Sequence, residues 1–337
     1  MTRLLALLLS IAAAAALSAC GEKDEPTGPP GADKLTLLLD FFPNADHAGI
    51  YAAEASGEFE RAGLDVEIQA PADPSAPLRL LAAGKADVAI SYPPELLLAR
   101  DKGSDDLVSI AAMVQKPLTS IMAIGKTKLD SPADLEGHTV ATAGIPYQSA
   151  YLKTILREAG ADPASVKEID VGFDLSPALI SKRAYATLGA FWNYEGVALE
   201  RKKRDPTIIR MEEAGVPTYP ELILVTRTEV ARDRAATLRR FLQALARGHA
   251  ALRDDPAAGV DALLDANPEL ERGLQAAVVD ATLPVFFPED SDRPWGWQEP
   301  SEARAYAAWM LDNDLIKRPA SPGGQTNDLL PGQGFEE

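Results

Sequence analysis

Residues 35–57, LTLLLDFFPNADHAGIYAAEASG, hold the unit that decides the fold: an apolar run, a polar loop and a helix. Leu35–Asp40 has the length and apolar content of a buried strand, and Ala48–Gly57 has a helical pattern that ends at a glycine. The order strand, loop, helix, strand, helix, strand runs through residues 35–90 and recurs in residues 139–190. This alternation predicts an α/β protein with mainly parallel sheets. It includes predicted strands at Leu64–Gln69 and Leu107–Val114, and mostly helical structure is predicted over residues 230–265 and 300–312.

Two apolar runs connect the repeats. Leu118–Ile124 (LTSIMAI) is predicted as a strand that leads out of the first repeat, and Leu222–Val225 (LILV) as a strand that leads back. Two crossings predict two α/β lobes, of which the first is discontinuous. We expect residues 34–121 and 222–337, including the C-terminal helices, in lobe 1, and residues 122–221 in lobe 2. Two sequential domains are the alternative.

Composition and charge exclude several classes of protein. The 337 residues include 33 Lys or Arg and 50 Asp or Glu, giving a net charge of -17, and 46% of them are hydrophobic. So apolar a chain can bury a core, and its length favours two lobes. The acidic balance argues against a nucleic-acid partner, which would require a basic face. The single cysteine excludes a disulfide framework and a cysteine-based zinc site.

The first 33 residues are predicted to be an export signal and a tether. Met1–Arg3 is positive, and Leu4–Ala19 is a mostly apolar run, shorter than the ~20 residues that span a bilayer. The end of this run resembles a bacterial lipoprotein signal, which predicts a signal peptide over residues 1–19 and lipidation of Cys20. Residues 20–33 are then a Pro/Gly-rich linker, and the protein is anchored outside the cytoplasm. The alternative is an ordinary signal peptide that contains a cysteine.

Aromatic side chains gather in four loops that follow predicted strands. Residues 41–47, 91–95, 144–149 and 190–195 hold seven of the 21 aromatic residues, and none of them is Arg or Lys. Ligands bind at the carboxyl ends of strands in open α/β sheets, so these loops predict a cleft that stacks a flat, neutral or cationic ring. The alternative is that the rings close the ends of the core. The polar residues considered for this cleft are Asn44, His47, Asn193 and Glu195.

The same loops resemble a known family. Residues 40–51 (DFFPNADHAGIY), 144–149 (GIPYQS) and 189–196 (GAFWNYEG) are similar to motifs of the thiamine-pyrimidine-precursor family, over roughly residues 34–330. That family comprises substrate-binding proteins of bacterial ABC importers and a fungal pyrimidine synthase. Two departures are Phe41, where the family commonly has tryptophan, and Lys182-Arg183, which replaces a glycine-containing turn.

The resemblance implies a type II periplasmic-binding fold, two α/β lobes joined by two crossover strands. It also implies binding of formylaminopyrimidine or hydroxymethylpyrimidine, with an ABC permease and ATPase as partners and no cofactor. Glu195 is expected to accept hydrogen bonds from the ligand's amine, or alternatively to be a first-turn acid of a helix. The contacts implied for lobe 1 are Phe41, Phe42, Asn44, His47 and Tyr92, and those for lobe 2 are Tyr147, Trp192, Asn193 and Glu195.

Three alternative functions remain open at this point. A taurine, alkylsulfonate or nitrate binder of the same fold would need a cation or helix N-termini in the cleft. A hydrolase or metalloenzyme is disfavoured, since the histidines at 47, 138 and 249 are scattered and no nucleophile, phosphate-loop or metal motif occurs. A pyrimidine synthase is disfavoured because the family's synthases carry a cysteine cluster, whereas the mature chain has no cysteine except Cys20. His47 is as consistent with a structural role as with a ligand contact.

Overall fold

The computed structural model describes residues 31–290, 292–320 and 324–331. The predicted signal peptide, Cys20 and most of the tether therefore lie outside the described residues. Among the described helices, we find none that combines the length and the apolar character needed to cross a bilayer.

Ten strands form two five-stranded sheets within the described residues. The strands are β1 (Asp33–Leu38), β2 (Leu64–Gln69), β3 (Val88–Ser91), β4 (Leu107–Val114), β5 (Thr119–Ile124), β6 (Thr139–Thr142), β7 (Lys167–Asp170), β8 (Ala186–Phe191), β9 (Pro206–Arg210) and β10 (Leu222–Arg227). Sheet one has the order β2-β1-β3-β10-β4 and sheet two the order β7-β6-β8-β5-β9.

Helices connect the strands and follow the last of them. The α-helices are α1 (Ala48–Ala55), α2 (Glu58–Arg61), α3 (Pro77–Ala82), α4 (Pro93–Asp101), α5 (Pro146–Glu158), α6 (Leu175–Ile180), α7 (Val197–Arg201), α8 (Thr228–Asp233), α9 (Ala235–Asp254), α10 (Pro256–Ala266), α11 (Arg272–Thr282) and α12 (Pro300–Asp312). Short 3-10 turns lie at Ala45–His47, Pro132–Leu135, Pro163–Ser165 and Leu283–Val285, and a π-helical turn lies at Trp192–Gly196.

Both predicted repeats are present, and their strands have the same order in the two sheets. In each sheet three parallel strands have the same arrangement, β2-β1-β3 in the first and β7-β6-β8 in the second. One further strand, β10 or β5, pairs antiparallel with the third strand of the repeat. Each repeat therefore contributes the carboxyl ends of its parallel strands to one side of a shared cleft.

The chain passes twice between the sheets, so sheet one is built from two separate segments of the chain. Residues 115–118 lead from β4 to β5, and residues 211–221 lead from β9 back to β10, which lies inside sheet one. The predicted division between residues 121 and 122 falls within β5, which already pairs in sheet two from Thr119. The return at residue 222 coincides with the start of β10.

Four elements were not predicted, namely the short helices α2 and α7, strand β9 and helix α11. Strand β9 is short and begins at a proline, and α11 begins after an Asn-Pro-containing turn, so neither has a strong local pattern. The helical stretch predicted over residues 230–265 is interrupted twice. Its second interruption is at Asp255, whose side chain accepts from the Ala258 backbone N–H as an N-cap while Pro256 begins α10.

Close packing of α1 against α9 holds the loop before α1 in place. A Cβ added at Gly49 would lie 2.6 Å from the His249 ring, and one at Gly248 would lie 2.4 Å from the Gly49 carbonyl oxygen. His249 is fully buried, and burial lowers its pKa to about 4. Its Nδ1 lies 2.9 Å from the Leu245 carbonyl oxygen, so His249 is a neutral core residue.

Candidate ligand-binding site between the lobes

A narrow cavity lies between the lobes, at the carboxyl ends of strands from both repeats. Its volume is about 20 Å³, room for about one water molecule. A flat ring bound here must therefore be accompanied by separation of the lobes or of the side chains around it. The lining residues are Asp40, Phe41, Asn44, Asp46, His47, Tyr92, Ala143, Ile145, Tyr147, Gln148, Gly189, Phe191, Tyr194, Glu195 and Leu222.

The lobe 1 wall contains a buried carboxyl held by two side chains. The Tyr92 hydroxyl donates to Asp40 Oδ2 (2.6 Å), and His47 Nε2 lies 2.9 Å from Asp40 Oδ1. His47 Nδ1 accepts from the Asn44 backbone N–H at 3.2 Å, which places the ring proton on Nε2, so His47 donates to Asp40. Both ring nitrogens of His47 are thus used within the protein. This residue positions Asp40 and lines the cavity with its ring.

Asn44 is both a lining residue and a helix cap. Its side-chain oxygen accepts from the Asp46 backbone N–H (2.8 Å), and its amide donates to the Phe42 carbonyl oxygen (2.9 Å). Together with His47 it forms a reciprocal capping arrangement around the turn Ala45–His47. The polar atoms of Asn44 therefore shape the loop.

Aromatic rings from both lobes meet at one side of the cavity. Phe41 packs edge-on against Phe173 at 4.6 Å between ring centroids, and Phe42 packs against Tyr194 at 5.8 Å. Phe173 follows β7 in a loop that was not among the four predicted to form the cleft. Phe42 contacts the other rings but does not line the cavity. These phenyl contacts join the lobes directly.

A second group of rings lies deeper in the cleft. Tyr92 of lobe 1 is 5.5 Å from Tyr147 at an angle of 50° and 6.5 Å from Phe191 at 80°. A ring stacked between two parallel rings needs about 7 Å between them, since stacked carbon atoms lie about 3.5 Å apart. None of these pairs has that spacing or orientation, so a ligand here would stack on one face of a reoriented ring.

Glu195 faces the cavity from the π-helical turn that follows β8. Its Oε2 accepts from the Phe191 backbone N–H at 2.7 Å, so the side chain also caps the start of that turn. Burial raises its pKa to about 7. Both roles considered for Glu195 are therefore compatible: it is a first-turn acid, and it lines the cavity.

Two other residues of the same turn, Trp192 and Asn193, point away from the cavity. Trp192 donates from Nε1 to the Pro117 carbonyl oxygen (2.9 Å), and the Arg210 guanidinium lies 4.2 Å above its ring. Asn193 is fully buried and donates to Asp46 Oδ1 (2.6 Å) and to Thr282 Oγ1 (2.7 Å). Neither side chain lines the cavity. Their orientation follows from the wider turn of the π-helix, which no sequence pattern indicated.

The Asn193 contacts join three parts of the chain. Asp46 belongs to the loop of lobe 1, Asn193 to lobe 2, and Thr282 to the last turn of α11. Burial raises the pKa of Asp46 to about 6. Neither Thr282 nor α11 was anticipated, because their partners lie far away along the chain.

The two crossings are tied to each other by one buried carboxyl. Glu221 accepts from the backbone N–H groups of Leu118 (2.6 Å) and Thr119 (2.8 Å) and from the Thr119 hydroxyl (2.8 Å). Burial raises the pKa of Glu221 to about 7. Glu221 was not predicted, although it directly precedes the strand that leads back. It joins the two connections between the sheets at the point where β5 and β10 begin.

The chemistry of the cavity is carboxyl, hydroxyl, amide and aromatic. Three of its lining residues carry carboxyl groups, namely Asp40, Asp46 and Glu195, and none is Lys or Arg. Such a site suits a neutral or cationic ring that can donate hydrogen bonds. No cluster of His, Cys, Asp and Glu able to hold a metal ion occurs among the residues that the structure describes.

Comparisons with known proteins identify relatives of this chain. The NMT1/THI5-like family matches residues 44–259. The formylaminopyrimidine-binding protein of Halalkalibacterium halodurans is 32% identical over 289 residues, covering 85% of this chain and 87% of the relative. The 4-amino-5-hydroxymethyl-2-methylpyrimidine phosphate synthase of Legionella pneumophila is 25% identical over 267 residues, covering 78% and 83%.

The fold is shared with binding components of importers. The ligand-binding component of an ABC-type import system from Staphylococcus aureus aligns with a TM-score of 0.66 at 14% identity, covering 90% of this chain and 99% of that structure. The predicted periplasmic-binding fold with two α/β lobes is thereby confirmed. The family match spans the loop of Asn44 and the turn of Glu195. Together with the similarity to the formylaminopyrimidine-binding relative, this match shows that the chain belongs to the NMT1/THI5-like family.

Proposed function

We propose that the chain is the extracytoplasmic substrate-binding component of an ABC importer and binds an aminopyrimidine precursor of thiamine, of the formylaminopyrimidine or hydroxymethylpyrimidine type. The observation that carries this proposal is the interlobe cavity, in which carboxyl groups and aromatic rings meet without a single Lys or Arg. An aminopyrimidine offers two aromatic faces, an exocyclic amine that donates, and ring nitrogens.

Glu195 is the proposed partner of the amine. Its Oε2 is held by the Phe191 N–H, which fixes the direction of the carboxyl group and leaves it at the cavity wall. A carboxylate accepting from an amine or a protonated ring nitrogen makes a charge-assisted bond. Because burial raises the pKa of Glu195 to about 7, an amine donor would draw the group toward its ionised form. Binding near neutral pH would then release a proton.

Tyr92, Phe191 and Tyr194 are the proposed stacking surfaces, together with Phe41. They come from both lobes, so a ligand that contacts them favours the closed arrangement through its differential affinity. Tyr147 would contact the ligand edge. Trp192 and Asn193 are left out of the proposed contacts because neither lines the cavity. Trp192 Nε1 donates to the Pro117 carbonyl oxygen, and Asn193 Nδ2 donates to Asp46.

A sulfonate or nitrate ligand fits this cavity poorly. An oxyanion facing Asp40, Asp46 and Glu195 would meet like charges, and no cationic side chain among the described residues lines the cavity to offset them. A synthase activity is disfavoured as well. His47 would be the natural proton-transfer group, yet both its ring nitrogens are engaged with the protein.

Anchoring through Cys20 completes the proposal. An acylated Cys20 and the linker up to residue 33 would tether lobe 1 to the outer face of the membrane, near the permease and ATPase that the chain would serve. Cys20→Ala should release the protein from membranes in a fractionation experiment. Retention of the variant in the membrane fraction would contradict the anchor without affecting the ligand assignment.

A ligand panel tests the central proposal. Thermal melts with formylaminopyrimidine, hydroxymethylpyrimidine, taurine, an alkylsulfonate and nitrate should show a rise in melting temperature only with the pyrimidines. At about 100 times the Kd, linkage adds about 2.7 kcal/mol, which corresponds to a rise of about 5 °C or more. A rise with the anions and none with the pyrimidines would overturn the assignment. Ligand that co-purifies with the protein is removed by unfolding and refolding the protein before the melts.

A further inference from the structure

A second, larger pocket lies at the far end of lobe 2, away from the interlobe cavity. Its volume is about 770 Å³, and it is open to solvent. It surrounds the amino ends of β6 and β8, whereas the interlobe cavity lies at their carboxyl ends. The function proposed above makes no use of it.

Five cationic side chains surround this pocket. They are Lys126, Lys182, Arg183, Lys203 and Arg204. All five are exposed, and none forms an ion pair within the part of the chain that the structure describes. The only acidic residue among the lining residues is Asp205. In a chain with a net charge of -17, so local a concentration of positive charge is unusual.

Backbone conformation gives a second, independent observation. Lys182 (φ 58°) and Lys203 (φ 55°) follow the C-caps of α6 and α7 in the left-handed region. The five helices before them, α1 to α5, are each followed at this position by a glycine, namely Gly57, Gly63, Gly84, Gly103 and Gly160. Glycine is favoured there because it has no Cβ. The chain thus has lysine at two positions where glycine would be more stable, and both lysines line the same pocket.

We propose that this pocket is a docking surface for an acidic segment of a partner protein. The two lysines keep their charge at the pocket despite an unfavourable backbone conformation, a combination that favours a role for the charge itself. Tyr185 forms part of the wall, with the His138 ring stacked on it at 3.7 Å. This flat surface lies among the cations and suits the aliphatic stems of a docked peptide.

The arrangement favours an extended partner over a small anion. Each cation is exposed and spread around an open rim, and a single exposed ion pair contributes little. Several such pairs acting together on one acidic segment give electrostatic steering and specificity. The concave shape and the strongly acidic remainder of the protein disfavour a flat anionic membrane as the partner.

The test uses a fluorescein-labelled octaglutamate peptide and the full chain at low ionic strength. Anisotropy should show binding to the wild-type protein that weakens with added salt. Lys182→Gly combined with Lys203→Gly should weaken it roughly three- to tenfold. The same variant should melt about 1–4 °C higher, because glycine relieves the left-handed positions. If the lysines had a purely structural role, the loss of peptide binding and the gain of stability would not occur together.

The matched control is Lys153→Gln combined with Lys167→Gln, which removes two exposed lysines of lobe 2 outside the pocket and should leave peptide binding within twofold. Absence of binding to the wild-type chain, equal weakening by the control, or a lower melting temperature of the glycine variant would each overturn the proposal. So would displacement of the peptide by inorganic phosphate at millimolar concentration, or preferential binding to phosphatidylglycerol vesicles, since these would assign the pocket to a small anion or a lipid. Intact pyrimidine binding in the glycine variant is expected and separates this test from the interlobe cavity.

Discussion

The two repeats build the same strand order but fix their cavity-facing groups differently. In the first repeat the Asp40 carboxyl is held by two side chains, those of His47 and Tyr92. In the second repeat Gln148 accepts from the Ala143 backbone N–H, and Glu195 accepts from the Phe191 backbone N–H. The wall of lobe 1 is therefore a side-chain network, whereas the wall of lobe 2 is organised by the main chain. Lobe 1 should be the more sensitive to single substitutions.

The largest effect is expected at Asp40. Asp40→Ala leaves the His47 N–H and the Tyr92 hydroxyl buried without their acceptor, which should cost about 2–5 kcal/mol of unfolding free energy. Gln148→Ala, the corresponding change in lobe 2, leaves one backbone N–H without a partner and should cost about 1–3 kcal/mol. Urea unfolding of both variants measures the difference. An equal or larger loss at Gln148 would contradict the contrast between the walls.

The next effect concerns binding. Glu195→Gln keeps an oxygen that can accept from the Phe191 N–H, so the unfolding free energy should change by less than about 1 kcal/mol. The negative charge is lost, and affinity for the pyrimidine should fall about 10- to 150-fold, since hydrogen bonds to charged groups contribute about 1.5–3 kcal/mol. Calorimetric titration measures this, with Glu200→Gln on α7 as a control. Unchanged affinity with a lowered melting point would leave Glu195 with its capping role alone.

A smaller effect is the dependence of stability on pH. Burial raises the pKa of Asp46 to about 6 and those of Glu95 and Glu195 to about 7. Because each pKa is higher in the folded state than in the unfolded chain, the stabilisation is present at low pH and is lost as pH rises from about 4.5 to 7.

The ligand-free protein should therefore be more stable at pH 5.5 than at pH 8. Each carboxyl contributes at most about 1.4 kcal/mol per pH unit. Glu195→Gln should remove the contribution of one carboxyl to the pH dependence of the unfolding free energy. Chemical unfolding at several pH values would detect this change. A variant whose pH dependence equals that of the wild type would contradict the assignment to Glu195.

The smallest effect comes from exchanging the residues that end equivalent helices. Gly84 follows α3 with φ 71°, and an added Cβ would meet nothing closer than 3.9 Å. Gly84→Lys should therefore cost only the conformational term, about 1 kcal/mol, and Lys182→Gly should gain a similar amount. Thermal melts of the two single variants compare the repeats directly. Changes of the same sign in both would show that local packing, and not the left-handed backbone, decides these positions.

Much of the fold could be predicted from the sequence, because the elements with strong local patterns coincide with those observed. β2, β4 and α12 have the predicted bounds, and the parallel pairing within each repeat was predicted from the alternation of strands and helices. β9 and α11 were missed because their contacts are distant and their local patterns are weak.

The loops that form the site could be predicted from the sequence, but the polar atoms that face the cavity could not. Position after a strand brings Phe41, Tyr92, Tyr147 and Glu195 to the cavity. It does not say which polar atoms are already used. Polar atoms of His47 and Asn44 form hydrogen bonds within the loop of lobe 1. The π-helical turn directs Asn193 toward Asp46. Asp40 belongs to the opening motif but was not predicted as a site residue, since its partner Tyr92 lies 52 positions away and leaves no local pattern.

The central position of β10 has a consequence for the order of folding. β3 and β4 are not neighbours in sheet one, because β10 lies between them. Strands β5 to β9, by contrast, are contiguous in sequence and can pair fully before residue 222 has emerged. The facing edges of β3 and β4 then stay unpaired until more than a hundred later residues have followed. The part of the chain synthesised first should thus be the last to complete its sheet, which makes this half the natural target for a chaperone.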